Sequence, residues 1–219
     1  MIATGYPYGS SVKTEIVDVL DPSKSCLLED IVSYRFKSAG GLLGTTPVIC
    51  GGFASGTYLN ECLLYGTSEV ITMNSNRVGH SSVALNNSMI WILGGSSHGA
   101  NGYHSDSTEF ITMDGAINGP TLPTAVSHSC AVKFTQTDDV YLIGGKTPSG
   151  FSNNVWVTNP SNDFTFTQGP SLITSRGYHT CSTMSIGANS IIVAAGGQPG
   201  SLTSVEILDP LSNQWVAGT

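Results

Sequence analysis

The chain repeats a short apolar run that ends in two glycines. The run occurs four times, as PVICGG (47–52), MIWILGG (89–95), VYLIGG (140–145) and IIVAAGG (191–197). The first glycines of the pairs are residues 51, 94, 144 and 196, so the spacings are 43, 50 and 52 residues. Self-similarity at such a period indicates an array of supersecondary units that bury their faces by stacking on one another. A shorter copy, MIATG (1–5), opens the chain.

Alignment of the copies predicts four strands in each repeat, which we letter a to d. Strand b is the glycine-ended run, and its apolar residues on both faces are typical of a strand buried between two sheets. Strand a precedes it, as in GHSSVAL (79–85), and an alternating strand c follows, as in STEFITMDG (107–115). Strand d is weakest, as in QWVAG (214–218). We predict an all-β chain with repeats at 1–38 (partial), 39–76, 77–124, 125–174 and 175–219.

The fifth copy carries the fullest motif, with two glycines (196–197), SVEILDP (204–210) and NQW (213–215). The third copy shares it through RVGHSSVAL (77–85) and WILGG (91–95). With these motifs the chain resembles the kelch-repeat β-propeller family, within the galactose-oxidase-like propeller superfamily, and the likeness covers essentially the whole chain. The second to fourth copies lack the closing tryptophan, and the first has Thr4-Gly5 in place of the glycine pair.

The resemblance implies a kelch-type β-propeller with about four complete four-stranded blades and a partial N-terminal blade. Family members usually close with six or seven blades, so we expect an incomplete ring whose open blade faces are apolar. The resemblance also implies a function. We expect a non-catalytic platform for protein–protein interaction that needs no cofactor and no metal.

Two arginines are candidates for contact with the partner. Arg77 (NRVGHS) and Arg176 (SRGYHT) each precede a strand-a histidine by three residues. In kelch adaptors that resemble this chain, arginines at this place line the ring face that binds acidic residues of a partner. A guanidinium suits a carboxylate because it donates two parallel hydrogen bonds. The alternative is that both arginines cap turns or pair with nearby carboxylates.

The loops between strands b and c are a second candidate surface. They differ in length and are rich in Gly, Ser, Asn and aromatic residues, a composition typical of recognition loops on a rigid scaffold. We predict that these loops and the arginines contact a protein or peptide partner, with an acidic peptide as the natural ligand class. The candidate loop residues are Tyr58, Tyr103, His104 and Phe151.

A copper redox enzyme related to galactose oxidase is the alternative function. Tyr178-His179 matches the Tyr-His ligand pair of such enzymes, and His80, His128 and His179 are expected at the same place in three successive repeats. The remaining ligands of such a site cannot be assembled from the sequence, so we predict no metal site. The sequence also lacks a P-loop, a G-x-S-x-G elbow and an H-E-x-x-H motif.

Charge and hydropathy exclude two kinds of partner. The 219 residues include 8 basic and 15 acidic side chains, for a net charge of −7. No Lys/Arg cluster is present that could neutralise phosphates, so we do not expect nucleic acid as a partner. No apolar run approaches the roughly 20 residues of a membrane span, so none is predicted.

The cysteines offer one candidate disulfide. Cys50 ends a strand b and Cys62 lies in the following strand c, so a cross-strand bond between them is geometrically allowed. Cys130 (SHSC) and Cys181 (YHTC) fall at matching places in two repeats, and we predict that they are buried thiols that pack as small apolar side chains. No C-x-x-C pair is present.

Two short motifs fall in predicted a–b turns. Asn86-Asn87-Ser88 is a glycosylation sequon, with Asn86 as the acceptor, and Asp138-Asp139 is interpreted as a solvated turn rather than a catalytic pair. The sequon and the low charge content favour an extracellular protein. A cytoplasmic location is the alternative, because intracellular kelch adaptors are common and the cysteine number is odd.

Overall fold

A computed structural model describes residues 35–97, 103–187, 189–210 and 212–218, and the backbone of three strands nearer the N-terminus. These three strands, β1 (Ile2–Ala3), β2 (Lys13–Ile16) and β3 (Leu27–Asp30), pair antiparallel in chain order. The sequence also predicts a strand d at IVSYRF (31–36) in the partial first repeat, and residues 31–34 of it lie outside the described residues. The described residues form antiparallel strands and one 3₁₀ helix of three residues, which confirms the all-β prediction.

Four four-stranded antiparallel sheets follow, which we number I to IV in chain order. Sheet I contains β4 (Ala39–Leu43), β5 (Thr46–Cys50), β8 (Glu61–Leu64) and β9 (Val70–Thr72). Sheet II contains β10 (Ser81–Asn86), β11 (Met89–Leu93), β12 (Thr108–Thr112) and β13 (Gly115–Asn118).

Sheets III and IV have the same strand order. Sheet III contains β14 (Cys130–Lys133), β15 (Val140–Ile143), β18 (Val155–Thr158) and β19 (Thr167–Gln168). Sheet IV contains β20 (Thr180–Ile186), β21 (Asn189–Ala195), β22 (Val205–Asp209) and β23 (Gln214–Ala217). Two small hairpins, β6–β7 (Phe53–Ala54 and Thr57–Tyr58) and β16–β17 (Lys146–Thr147 and Gly150–Phe151), and a 3₁₀ helix at Pro160–Asn162 complete the described elements.

The sheets stack through the faces of their strands. The first strands β4, β10, β14 and β20 contact one another in chain order. Ile90 and Ile92 of β11 pack in the core shared with sheet I, whereas Trp91 and Leu93 pack in the core shared with sheet III. All four side chains are fully buried. The prediction that strand b is buried on both faces is therefore confirmed for β11.

The glycine pairs fasten each sheet to the next one. At Gly51 and Gly52 the backbone φ is +59° and +94°, a region that side-chain-bearing residues rarely adopt. A Cβ on Gly51 would lie 2.6 Å from the Arg77 carbonyl oxygen, and the Gly52 N–H donates to the same oxygen at 2.7 Å. Only glycine permits this approach, so the repeated pair has a structural explanation.

Two disulfides are present among the described residues. Cys50–Cys62 links neighbouring strands of sheet I, as the sequence allowed. Cys130–Cys181 links the first strands of sheets III and IV, so the prediction of two separate thiols is wrong. The two cysteines differ by one residue in their register against strand b. Cys130 pairs with Ile143, the last residue before a glycine pair, whereas Cys181 pairs with Ala194, which lies two residues before its glycine pair. One residue reverses the face of a strand, so the two sulfurs face each other.

Candidate functional site

A pocket of about 210 Å³ lies where the starts of the first strands come together. Its lining comes from a few positions that recur from sheet to sheet, counted back from the first residue of β4, β10, β14 and β20. The residue two positions before each of these strands is Lys37, Gly79, His128 and Tyr178, respectively.

These four residues form a hydrogen-bonded line across the sheets. Each has a positive φ, between +52° and +61°. The N–H of Gly79 donates to the carbonyl of Lys37 at 2.9 Å, that of His128 to Gly79 at 2.6 Å, and that of Tyr178 to His128 at 2.8 Å. Left-handed backbone is uncommon for residues with side chains and persists where the surroundings enforce it. The line therefore brings Lys37, His128 and Tyr178 to one place.

The side chains of this line contact one another. The His128 ring stacks on the Tyr178 ring with a centroid distance of 3.9 Å, and the Lys37 Nζ lies 5.7 Å from the Tyr178 centroid. Gly79 makes room for the imidazole, since a Cβ there would lie 2.6 Å from His128 Nε2. Tyr178 is still 46% exposed, so its ring is available to a ligand.

The second part of the lining follows the glycine pairs. Phe53, Ser96 and Lys146 are equivalent, because each bridges the residue three positions before a first strand. The chain then turns back, and the residues that pair with Phe53, Ser96 and Lys146 are Tyr58, His104 and Phe151, respectively. Three of the four predicted loop residues thus occupy one recurring position.

Ser127 joins two imidazoles in the pocket wall. Its Oγ lies 2.8 Å from Nδ1 of His104 and 2.9 Å from Nδ1 of His128. Ser127 is fully buried, and the equivalent residues in sheets I and II are Phe36 and Val78. The hydrogen-bonded group is therefore a feature of sheet III among these three sheets.

The pocket carries positive charge. Lys37 and Lys146 line it, and neither forms an ion pair with a residue that the structure describes. Burial, and then the charges of Lys37, His104 and Lys146, lower the pKa of His128 to about 4. Burial and Lys146 also lower the pKa of His104. The described lining contains no carboxylate, so an anionic group would find complementary charge here.

The structure brings together part of the predicted site. Tyr58 and His104 line the pocket. The Phe151 ring packs edge-on against the Tyr178 ring, with 6.4 Å between the ring centroids. Tyr103 is 81% exposed and lies outside the lining. The pocket also contains five residues that the sequence does not predict to bind a partner: Lys37, Ser127, His128, Lys146 and Tyr178. The signal that would have found most of them is their fixed distance before strand a.

The three histidines do not share one place. His80 and His179 each immediately precede a first strand, but His128 lies one residue earlier, at the position of Gly79 and Tyr178. The predicted equivalence is therefore wrong for His128. Within the described residues, no group of three or more His, Cys, Asp or Glu side chains is placed to hold a metal ion.

Arg77 is an interior residue. It is 1% exposed, and its Nη2 lies 2.8 Å from Oε1 of Glu109, which is also 1% exposed. Its Nη1 donates to the carbonyls of Gly94 and Ser107 at 2.8 and 2.9 Å. Glu109 in turn accepts the backbone N–H groups of residues 74 and 75, which lead from sheet I to sheet II. The pair therefore ties a glycine pair to the connection between two sheets.

Arg176 repeats this arrangement in sheet IV. It is fully buried, and its Nη2 lies 2.6 Å from Oε1 of Glu206. Its Nη1 donates to the carbonyls of Gly196 and Ser204, and Glu206 accepts the backbone N–H groups of residues 173 and 174. The interpretation of Arg77 and Arg176 as partner-binding residues is corrected accordingly. Both guanidinium groups lie between sheets, where a partner cannot reach them. Each pairs with a carboxylate of this chain, which is the alternative that the sequence left open.

The buried histidines predict a loss of stability in acid. Burial and Arg77 lower the pKa of His80 to about 3, and burial and Arg176 lower that of His179 to about 4. In the unfolded chain both titrate near their ordinary pKa, roughly 6.5. Below that pH the unfolded state binds more protons, so the free energy of unfolding falls as the pH drops from about 6.5 towards about 4.

Urea unfolding at pH 7.5 and 5 measures this loss. His179→Ser is the matched variant, because serine occupies the equivalent position before β4 and β14, at Ser38 and Ser129. We expect this variant to lose less stability between the two pH values than the wild type. Equal losses in both proteins would show that His179 is not the titrating group.

No family model matches the chain, and the search of the curated proteins found no match. Among the described residues, no helix is long and apolar enough to cross a membrane.

Proposed function

We propose that the chain is a kelch-type β-propeller region that serves as a non-catalytic binding platform for a protein or peptide. The arrangement of the sheets supports the fold. Each sheet has its strands in chain order apart from the hairpin insertions, the first strands lie side by side, and the glycine pairs join successive sheets. Sheets I to IV would be four blades, and β1–β3 would belong to a partial one.

The outward face of sheet IV supports an incomplete ring. Met184, Ile186 and Val216 are each more than half exposed, although they lie in or next to regular strands. The opposite face of the same sheet is buried against sheet III, with Leu208 fully enclosed. An apolar sheet face of this kind is the surface on which a further blade would pack.

The pocket is the observation that carries the binding function. It combines aromatic rings, from Phe53, Tyr58 and Tyr178, with the lysines at positions 37 and 146. Apolar rings that exclude water around a charged hydrogen bond concentrate affinity in a few contacts. Unlike the buried arginines, Lys37 and Lys146 form no ion pair with a described residue, so their charges are available to an anionic ligand.

The disulfides support an extracellular location. Two of them form among the described residues, and disulfides persist in oxidising compartments. Asn86 is exposed at the turn between β10 and β11, and its Oδ1 accepts the N–H and Oγ–H of Ser88. Its glycosylation stays a prediction.

A peptide-display selection tests the proposed function. A random peptide library is selected in parallel on the wild type, on Lys146→Gln and on Gln214→Glu, which makes the same charge change in the outermost strand of sheet IV. We expect the wild type and Gln214→Glu to enrich the same acidic peptides, and Lys146→Gln to lose them, because the pocket lysine supplies a charged hydrogen bond. Enrichment that is equal on all three proteins would contradict binding at the pocket.

A further inference from the structure

We propose that the pocket binds a carboxylate and takes up one proton as it does so, through the hydrogen-bonded chain His104–Ser127–His128. This inference rests on the proposed function, since it names the chemical group that the binding site recognises and the condition that regulates it. The geometry of the three side chains and the charge around them carry it.

The hydrogen bonds of Ser127 fix where the protons lie. A serine hydroxyl donates one hydrogen bond and accepts two. Its Oγ is within 2.9 Å of Nδ1 on both imidazoles, so at least one imidazole must donate its own proton to Ser127. Nε2 of His128 is buried beside Gly79 with no hydrogen-bond partner among the described residues, so a proton there would be unpaired. His128 therefore carries its proton on Nδ1 and donates it to Ser127. The Ser127 hydroxyl is buried and Nδ1 of His104 is its other partner among the described residues, so it donates to that atom.

A bound carboxylate changes this pattern at one atom. Protonation of His128 would place a proton on the buried Nε2, whereas His104 is only partly buried and gains its proton on Nδ1. Ser127 then accepts from both imidazoles, and the positive charge that the partly exposed His104 gains attracts the carboxylate. The proton comes from solvent, and the N–H bond of His104 is the only covalent bond formed.

The surrounding charges set the direction of the coupling. Lys146 faces His104, and Lys37 and Lys146 face His128, so that in the empty pocket they oppose protonation. Tyr178 covers His128 from its other side, and no carboxylate belongs to the described lining. A bound carboxylate offsets the lysine charges and makes the imidazolium form of His104 more favourable. By linkage, a ligand that promotes proton uptake binds more tightly as the pH falls.

Isothermal titration calorimetry at about pH 8 and pH 6 tests the proposal. The probes are the peptide acetyl-Gly-Glu-Gly-Glu-Gly-amide, its counterpart with Gln in place of Glu, and free glutarate. Buffers with different ionisation enthalpies count the protons taken up. We expect the Glu peptide to bind about ten-fold more tightly at pH 6, with close to one proton taken up, and the Gln peptide to bind at least ten-fold more weakly.

Three variants and one control, Gln214→Glu, separate the roles of the side chains. His104→Asn and Ser127→Ala should bind the Glu peptide with the same affinity at both pH values and without proton uptake. Lys146→Gln should weaken binding about ten-fold at both pH values, and Gln214→Glu should match the wild type. Thermal unfolding of each variant verifies that it is folded.

The possible failures are distinguishable. Binding that is independent of pH in the wild type, or proton uptake that survives in His104→Asn, would overturn the proton coupling. Equal binding of the Glu and Gln peptides would overturn carboxylate recognition but leave peptide binding intact. Glutarate that binds as tightly as the Glu peptide would support the carboxylate site and contradict a peptide as its source, and with it the proposed function.

Discussion

We expect Glu206→Ala to lower the free energy of unfolding by about 3–5 kcal/mol, the cost of breaking a buried ion pair by removal of one partner. Arg176 is fully buried, so the variant would leave its charge without a counter-ion in the interior. The backbone N–H groups of residues 173 and 174 would lose their acceptors as well. Glu109→Ala should have the same effect through Arg77 in sheet II.

Glu61→Ala is the matched control. Glu61 also faces an arginine, but its carboxylate is half exposed and lies 3.8 Å from Nη2 of Arg35. Arg35 is itself 1% exposed, but its Nη1 donates to the carbonyls of Gly51 and Glu61, and the variant keeps both acceptors. Loss of the half-exposed carboxylate should therefore cost about 1 kcal/mol. The double variant Arg176→Met/Glu206→Leu should be less destabilised than Glu206→Ala, because it leaves no unpaired charge. Denaturant unfolding measures all three proteins, and a loss in Glu206→Ala no larger than that in Glu61→Ala would contradict the interior role of the pair.

Removal of the bond between sheets III and IV should have the second large effect. We expect the paired variant Cys130→Ala/Cys181→Ala to lose about 4 kcal/mol, because the bond closes a loop with a sequence separation of 51 and so restricts the unfolded chain. Cys50–Cys62 has a separation of 12, and the same relation gives about 3 kcal/mol for Cys50→Ala/Cys62→Ala.

Comparison of the two cysteine pairs by urea unfolding checks this expectation. In the first variant, sheets III and IV would lose a covalent link and keep packing, the Arg176 pair and the backbone hydrogen bonds of Gly145 and Tyr178, whereas the second bond lies within sheet I. An unfolding free energy that is unchanged in Cys130→Ala/Cys181→Ala would show that the bond between the sheets adds nothing to their association.

The strand pattern was predictable because it depends on local sequence. The glycine pair marks the end of β5, β11, β15 and β21, and the apolar runs before it are the strands that the sheets bury most deeply. The register was not predictable, since a shift of one residue leaves the composition of a motif unchanged but reverses the side-chain face. For this reason SHSC and YHTC seemed equivalent, and the bond between Cys130 and Cys181 was missed.

The candidate site was predictable only in part for a related reason. The loop residues Tyr58 and His104 were identified by their type and by their place after a glycine pair. The interior role of Arg77 and Arg176 was not predictable, because the carboxylates that pair with them lie about thirty residues further along the chain, in strands β12 and β22. No local motif therefore marks either arginine as paired. Lys37, His128 and Tyr178 share a backbone conformation rather than a residue type, so no motif identified them.

The most direct test of the account is a nuclear magnetic resonance titration with the tightest acidic peptide from the display selection. The central claim is that the partner binds at the pocket and that the arginines belong to the interior. We predict that the imidazole resonances of His104 and His128 shift on titration, while the Nε–H resonances of Arg77 and Arg176 stay in place. Shifts of the arginine resonances without a change at either imidazole would contradict it.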